Sequence, residues 1–119
     1  MCGVYGITWV DEPYIRRMID KCIHRGPDGS SIYTDMKDIT LGHNLLSITE
    51  KPQESKQPWK TPKGNILVYN GEIFNYEELC SKYQRDFIPK TTCDTELLAW
   101  GLDEFGVEFV ELIDSQHAF

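Results

Sequence analysis

Long apolar runs are missing from this chain: no stretch approaches the ~18 consecutive apolar residues that a membrane-spanning helix requires. No basic segment followed by an apolar run opens it, so nothing reads as a secretory signal. Basic residues are few, with 12 Lys and Arg against 19 Asp and Glu. The resulting formal charge of −7 argues against nucleic acid or an anionic membrane as the main partner. The four cysteines (Cys2, Cys22, Cys80 and Cys93) show no close pairing, which supports neither a zinc site nor a disulfide framework. A reduced, cytoplasmic setting fits. Internal repeats and low-complexity tracts are also lacking. What remains is a chain of 119 residues, 40% hydrophobic, enough for one domain with a packed core.

The second residue carries the sharpest chemical signal. In Met1-Cys2-Gly3-Val4, removal of one methionine makes Cys2 the N-terminus, and cysteine is small enough for an aminopeptidase to leave it exposed. One residue then holds a thiol and a free α-amino group, whose pKa of ~7.7–8.0 suits a general base. A nucleophile beside its own base follows the logic of an N-terminal threonine paired with its amine. By position alone, Cys2 also reads as a small residue opening a strand.

Propensity predicts a strand over Cys2–Val10 and then a helix capped by Asp11, with Pro13 in its first turn. Tyr14, Ile15, Met18, Ile19, Cys22 and Ile23 recur at helical spacing and read as a core stripe. His24-Arg25-Gly26-Pro27-Asp28-Gly29 forms a loop, within which Arg25 either orders the turn or reaches towards the N-terminus. Strands are expected over Ser30–Thr34 and Ile39–Ile48, joined by a turn at Asp35–Asp38. Thr49–Lys63, rich in proline, reads as a long covering loop with Trp59 as a packing anchor.

Ile66–Tyr69 reads as a strand buried on both faces, and Asn70-Gly71 as a tight strand-to-helix turn. Asn75 is the expected N-cap of that helix, with Phe74 and Leu79 stapled across it. A side-chain amide next to a backbone N–H, as in Asn70-Gly71, is the pair needed to hold an oxyanion. Thr91–Glu96 opens the last clear helix, which buries Leu97, Leu98, Leu102 and Phe105 and ends at Gly106. Asp94 either favours the helix N-terminus or receives a ligand's ammonium group. A short helix over Val107–Ile113 and a strand from Gln116 complete the reading.

Taken together, Cys2-Gly3-Val4, Arg25-Gly26-Pro27-Asp28, Asn70-Gly71-Glu72-Ile73-Phe74-Asn75 and Cys93-Asp94-Thr95-Glu96 resemble, in order and spacing, the class II glutamine amidotransferases. The Asn-Gly-Glu-Ile form, with Leu41-Gly42-His43-Asn44, Ser47-Ile48 and Gln57-Pro58, is similar to the glutaminase domain of glutamine-hydrolysing asparagine synthetases. The resemblance covers residues 1–119. It implies an α+β fold, a four-layer αββα N-terminal-nucleophile hydrolase sandwich, incomplete at the C-terminus. Cys2, Asn70 and Gly71 are its implied catalytic residues. Glu72, Asp94, Leu45 and Ile48 line its implied substrate site, with Arg25 and Asn75 supporting the nucleophile's loop.

Two departures stand out. The family's carboxylate-binding arginine is replaced by Leu45, which cannot imitate a bidentate fork; Arg16, Arg17 and Arg85 are candidates to supply the charge. The ATP-using synthetase domain, with its Ser-Gly-Gly-x-Asp-Ser loop, is absent from the sequence, as are the last strands of the glutaminase sheets. An exposed sheet edge near the C-terminus is therefore expected, and activity of these 119 residues on their own does not follow. No cofactor is implied for this chain; ATP and Mg2+ belong to the synthetase domain. The implied partners are L-glutamine and a synthetase domain or chain receiving ammonia for asparagine formation from aspartate, with a homodimer as an option. Two readings stand beside this one: a glutaminase serving another acceptor, and a non-catalytic binding or regulatory module on the same scaffold.

Overall fold

The first half of the chain lays one helix across one small sheet. A computed structural model describes residues 2–48 and 53–119. It opens with β1 (Gly3–Ile7), α1 (Glu12–Lys21), a 3-10 turn over Ile23–Arg25, β2 (Gly29–Thr34) and β3 (Thr40–Leu45). The three strands pair antiparallel in the order β1-β3-β2, with Gly3 opposite Asn44 and Gly29 opposite Leu45. The first strand stops at Ile7 rather than Val10 because the chain is pulled round into the helix. Thr40 donates its hydroxyl to the Trp9 carbonyl at 2.9 Å and accepts the Asp11 N–H at 3.0 Å. Asp11 then caps α1, accepting the Tyr14 N–H at 2.8 Å, with Pro13 in the first turn.

Only Ile15 and Ile19 of the expected core stripe are fully buried; Tyr14 and Ile23 are exposed. The helix covers a single sheet, so one narrow face suffices. It approaches so closely at Gly42 that a Cβ there would lie 2.5 Å from Ile15 Cγ2. The turn between β2 and β3 is tied by Asp35, whose carboxylate accepts the N–H groups of Lys37, Asp38 and Ile39 and is held below the usual carboxylate range by them.

Residues 49–52 lie outside the described residues, and with them the start of the predicted covering loop. Its later part is more ordered than expected: β4 (Trp59–Lys60) pairs with β5 (Ile66–Leu67). The strand expected over Ile66–Tyr69 therefore ends at Leu67, and a separate strand, β6 (Asn70–Ile73), follows. Asn70-Gly71 is not the predicted strand-to-helix turn. It is extended because β7 (Ser115–Ala118) pairs with it, Gly71 lying opposite His117. That pairing depends on glycine, since a Cβ at Gly71 would sit 2.4 Å from the Gln116 carbonyl oxygen.

The remaining elements are α2 (Tyr76–Lys82), α3 (Asp94–Phe105) and a 3-10 helix over Gly106–Leu112. Asn75 occupies the N-cap position of α2 but makes no cap bond. Its amide instead donates to the Leu112 carbonyl and accepts the Asp114 N–H, latching the chain as it enters β7. Phe74, expected to staple against Leu79, is exposed while Leu79 is buried. The α3 helix buries Leu97 and Leu98, and ends at Gly106, whose φ of 69° suits glycine. Phe105 is half exposed, yet its ring stacks on buried Phe109 at 5.9 Å within a cluster that includes Tyr83, Phe87 and Trp100. The architecture is α+β, with one three-stranded and two two-stranded sheets among the described residues.

Candidate active site

The N-terminal segment is held in place by two residues, Asn70 and Leu46. Cys2 N donates to Asn70 Oδ1 at 2.8 Å, and the Cys2 thiol accepts the Leu46 N–H at 3.4 Å. The segment after β3 that makes this contact is itself braced by the Arg25-Gly26-Pro27-Asp28 loop. The Asp28 N–H donates to the Leu45 carbonyl at 3.0 Å, and the Asp28 carboxylate accepts the Ser47 N–H at 2.8 Å. Gly26 packs so tightly there that a Cβ would lie 2.5 Å from the Asn44 backbone. Arg25, at the start of this loop, is half-buried and does not line the cavity described below.

The Asn70 contact orients its amide. A backbone nitrogen carrying a proton can only donate, so the Asn70 oxygen faces Cys2 and its Nδ2 is the other limb. The register of β6 orients Gly71. The Phe74 N–H donates across to the Asp114 carbonyl, so the Asn70 and Glu72 N–H groups, in the same phase, also face β7. Gly71 and Ile73 then point their N–H groups the other way, as the Ile73 N–H bond to Asp94 Oδ2 at 3.0 Å demonstrates.

Asp94 starts α3, and its Oδ2 also accepts the Tyr69 hydroxyl at 3.1 Å. Burial and then the neighbouring Asp94 charge push the Tyr69 phenol well above its usual range, so it is a neutral donor. Gln57 accepts the Tyr69 N–H and donates to Thr95 Oγ1 at 3.4 Å. The Gln57 carbonyl accepts the Ser31 hydroxyl.

A cavity of about 310 Å³ lies among these groups, at the lower end of the ~300–1,000 Å³ typical of small-molecule sites. Cys2, Asn70, Gly71, Glu72, Asp94, Leu45 and Ile48 all line it, so seven of the nine residues singled out from sequence meet in one place. Arg25 and Asn75 stand apart from it. Its walls carry two carboxylates, Glu72 and Asp94, and among the described residues no lysine or arginine. Arg16 instead donates to Ser30 Oγ, Arg17 lies over the Tyr14 ring, and Arg85 is exposed. Tyr69, Tyr76, Thr95 and Gln116 also line the cavity and were not foreseen. Tyr69 and Thr95 adjoin Asn70 and Asp94 in sequence, which is the signal that could have found them. Gln116 reaches the site only through the β6–β7 pairing. Among the described residues, no cluster of His, Cys, Asp and Glu could hold a metal ion, and no helix is long and apolar enough to cross a membrane.

The family model of the glutamine amidotransferase domain matches residues 1–119, the whole chain. The chain belongs to the glutamine amidotransferase family. It is 33% identical over 126 residues to asparagine synthetase [glutamine-hydrolyzing] 2 of Oryza sativa subsp. japonica, covering 100% of this chain and 21% of the rice protein. Asparagine synthetase B [glutamine-hydrolyzing] of Escherichia coli K12 is 33% identical over 125 residues, covering 100% of this chain and 22% of that protein. A probable asparagine synthetase [glutamine-hydrolyzing] of Acanthamoeba polyphaga mimivirus is 34% identical over 106 residues, 82% of this chain and 19% of its own length. This amidotransferase domain thus spans about a fifth of the length of the relatives it matches.

Proposed function

We propose that this amidotransferase domain hydrolyses L-glutamine through an N-terminal cysteine and passes the ammonia to a synthetase region that makes asparagine from aspartate. The contact of Cys2 N with Asn70 Oδ1 carries the reading. It puts the future α-amino group, the thiol and an amide donor at one cavity wall. On removal of Met1, Cys2 N becomes the base. The thiol gives its proton to the amine as sulfur attacks the substrate's side-chain amide carbon. Asn70 Nδ2 and the Gly71 N–H stabilise the tetrahedral oxyanion, each such donor contributing roughly 2.7–4 kcal/mol. The amine returns the proton to the leaving nitrogen, the C–N bond breaks, and ammonia departs. Water then cleaves the thioester, giving glutamate and the free thiol. Asp94 takes the substrate's ammonium, Glu72 assists, Leu45 and Ile48 pack against its chain, and Arg25 and Asn75 support the scaffold.

On this reading the fold is part of a four-layer αββα sandwich, residues 1–119 are the N-terminal part of the glutaminase domain, and ATP and Mg2+ serve the synthetase region. A cavity walled by carboxylates, with Leu45 where the family's arginine would stand, favours a second reading: a binding module that no longer turns over glutamine. Intact mass before and after exposure to a diazoketone analogue of glutamine separates the two. Loss of Met1 with one adduct, absent in Cys2→Ala, supports catalysis. Loss of Met1 without an adduct supports the binding module, and retained Met1 rules out the amine base.

A further inference from the structure

We propose that Tyr69 is a positioning residue whose hydroxyl fixes Asp94 as the amine anchor of the cavity. The inference rests on the amide-hydrolysis reading above and extends it to a residue that reading does not use. Tyr69 is 2% exposed, yet it lines the cavity. Its hydroxyl donates to Asp94 Oδ2 at 3.1 Å, and the same oxygen accepts the Ile73 N–H at 3.0 Å. Two donors converging on one oxygen set both the rotamer and the plane of the carboxylate.

Tyr69 cannot follow a carboxylate that moves. Its own N–H is held by Gln57 Oε1, and the buried His43 ring lies beside its carbonyl. Tyr69 also directly precedes Asn70, so one short segment sets both the amine anchor and the amide donor next to Cys2. Carboxylates are the charged groups on this wall among the described residues, so the substrate charge read here is positive. A carboxylate held in one orientation recognises an ammonium by direction as well as by charge. The hydroxyl therefore matters only for amides that carry an amine at that end.

The test compares wild type, Tyr69→Phe, Asp94→Asn and the double variant on L-glutamine and on glutaramate, the analogue without the α-amine. Tyr69→Phe is expected to raise KM for L-glutamine roughly tenfold, with kcat changed less than about twofold. Its effect on glutaramate kcat/KM stays below about twofold, and it adds nothing further in the Asp94→Asn background. Equal losses on both substrates, or an undiminished Tyr69→Phe effect beside Asp94→Asn, overturn the proposal. Calorimetric titration of both ligands into Cys2→Ala, with and without Tyr69→Phe, reads the same selectivity without turnover. A hydroxyl-dependent preference for L-glutamine in a chain whose wild type hydrolyses nothing sinks the catalytic reading and upholds the role of Tyr69. Binding of both ligands that ignores the hydroxyl overturns that role.

Discussion

Acidification between pH 7 and pH 5 is expected to loosen this fold, and His43 is the group responsible. The ring sits in the central strand β3 at 1% exposure, and burial pulls its pKa down from 6.5 to about 4, against the opposing hydrogen bond to the Tyr69 carbonyl. In the unfolded chain the ring takes a proton as pH falls through 6.5; in the folded chain it stays neutral until about pH 4. The unfolded state therefore binds more protons in that window, and stability falls as pH falls. The full difference is about 3 kcal/mol, of which about 2 kcal/mol is lost between pH 7 and 5. That is a large share of the ~5–15 kcal/mol typical of a domain. Asp35, whose carboxyl is held low by three backbone N–H groups, acts with the same sign but at lower pH, outside this window. Urea midpoints at pH 7, 6 and 5 measure the slope, and His43→Gln should flatten it. Equal slopes for wild type and His43→Gln, or a ring that titrates by NMR near 6.5 in the folded chain, would refute the reasoning.

Asn70→Asp keeps an oxygen towards Cys2 N but removes the Nδ2 donor, so glutaminase turnover should fall roughly 10²–10³-fold while alkylation of Cys2 by the diazoketone analogue proceeds; an unchanged kcat would remove Asn70 from the oxyanion site. Gly71→Ala drives a Cβ to 2.4 Å from the Gln116 carbonyl oxygen and should open the β6–β7 pairing. Amide exchange over Asn70–Ile73 should then accelerate, and unaltered protection would contradict the close approach. Leu45→Arg places a cation at a wall that now has two carboxylates, and should lower the glutamine KM about tenfold; no change would mean that the substrate carboxylate is bound elsewhere.

Local signals were legible wherever the chain decides its structure within a few residues. Asp11 capping α1, the turn tied by Asp35 and the stop at Gly106 all depend on neighbours two to four positions away. The errors fall where distant segments intervene. Asn70-Gly71 has turn chemistry, but pairing with β7, more than forty residues on, holds it extended. Asn75 has cap chemistry, but Leu112 and Asp114 claim its amide. Tyr14 and Ile23 carry the right spacing for a core, yet α1 covers only one sheet and ends at Lys21, before the 3-10 turn that holds Ile23, so both face solvent. The site was read better than the elements around it, because its residue types are dictated by chemistry at fixed local spacing. What stayed hidden was its wiring, since nothing about a lone tyrosine before Asn70 reveals that it meets Asp94 across the cavity.

That wiring also explains why stability and chemistry meet at the same residues. The chain builds two cores, one around Ile15 and Ile19 beneath the β1–β3 sheet, the other from Leu67 and Tyr69 through Leu97 to Phe109. Cys2 and Leu45 lie at the ends of strands β1 and β3, over the first; Asn70 and Gly71 lie on β6 and Asp94 on α3, elements that give Ile73 and Leu97 to the second. Hydrogen bonds join the two, Cys2 N to Asn70 Oδ1 and Ser31 Oγ to the Gln57 carbonyl, and the buried His43 ring lies beside the Tyr69 carbonyl. His43, Asn44, Gln57 and Thr95 are all buried along this seam. Apolar surfaces tolerate sliding, because their contact energy depends weakly on direction. Buried hydrogen bonds do not, since a donor displaced from its acceptor costs about 1–3 kcal/mol. A seam of directed bonds therefore holds the Cys2 backbone nitrogen against the Asn70 amide, and protonating His43 would disturb both the fold and that alignment.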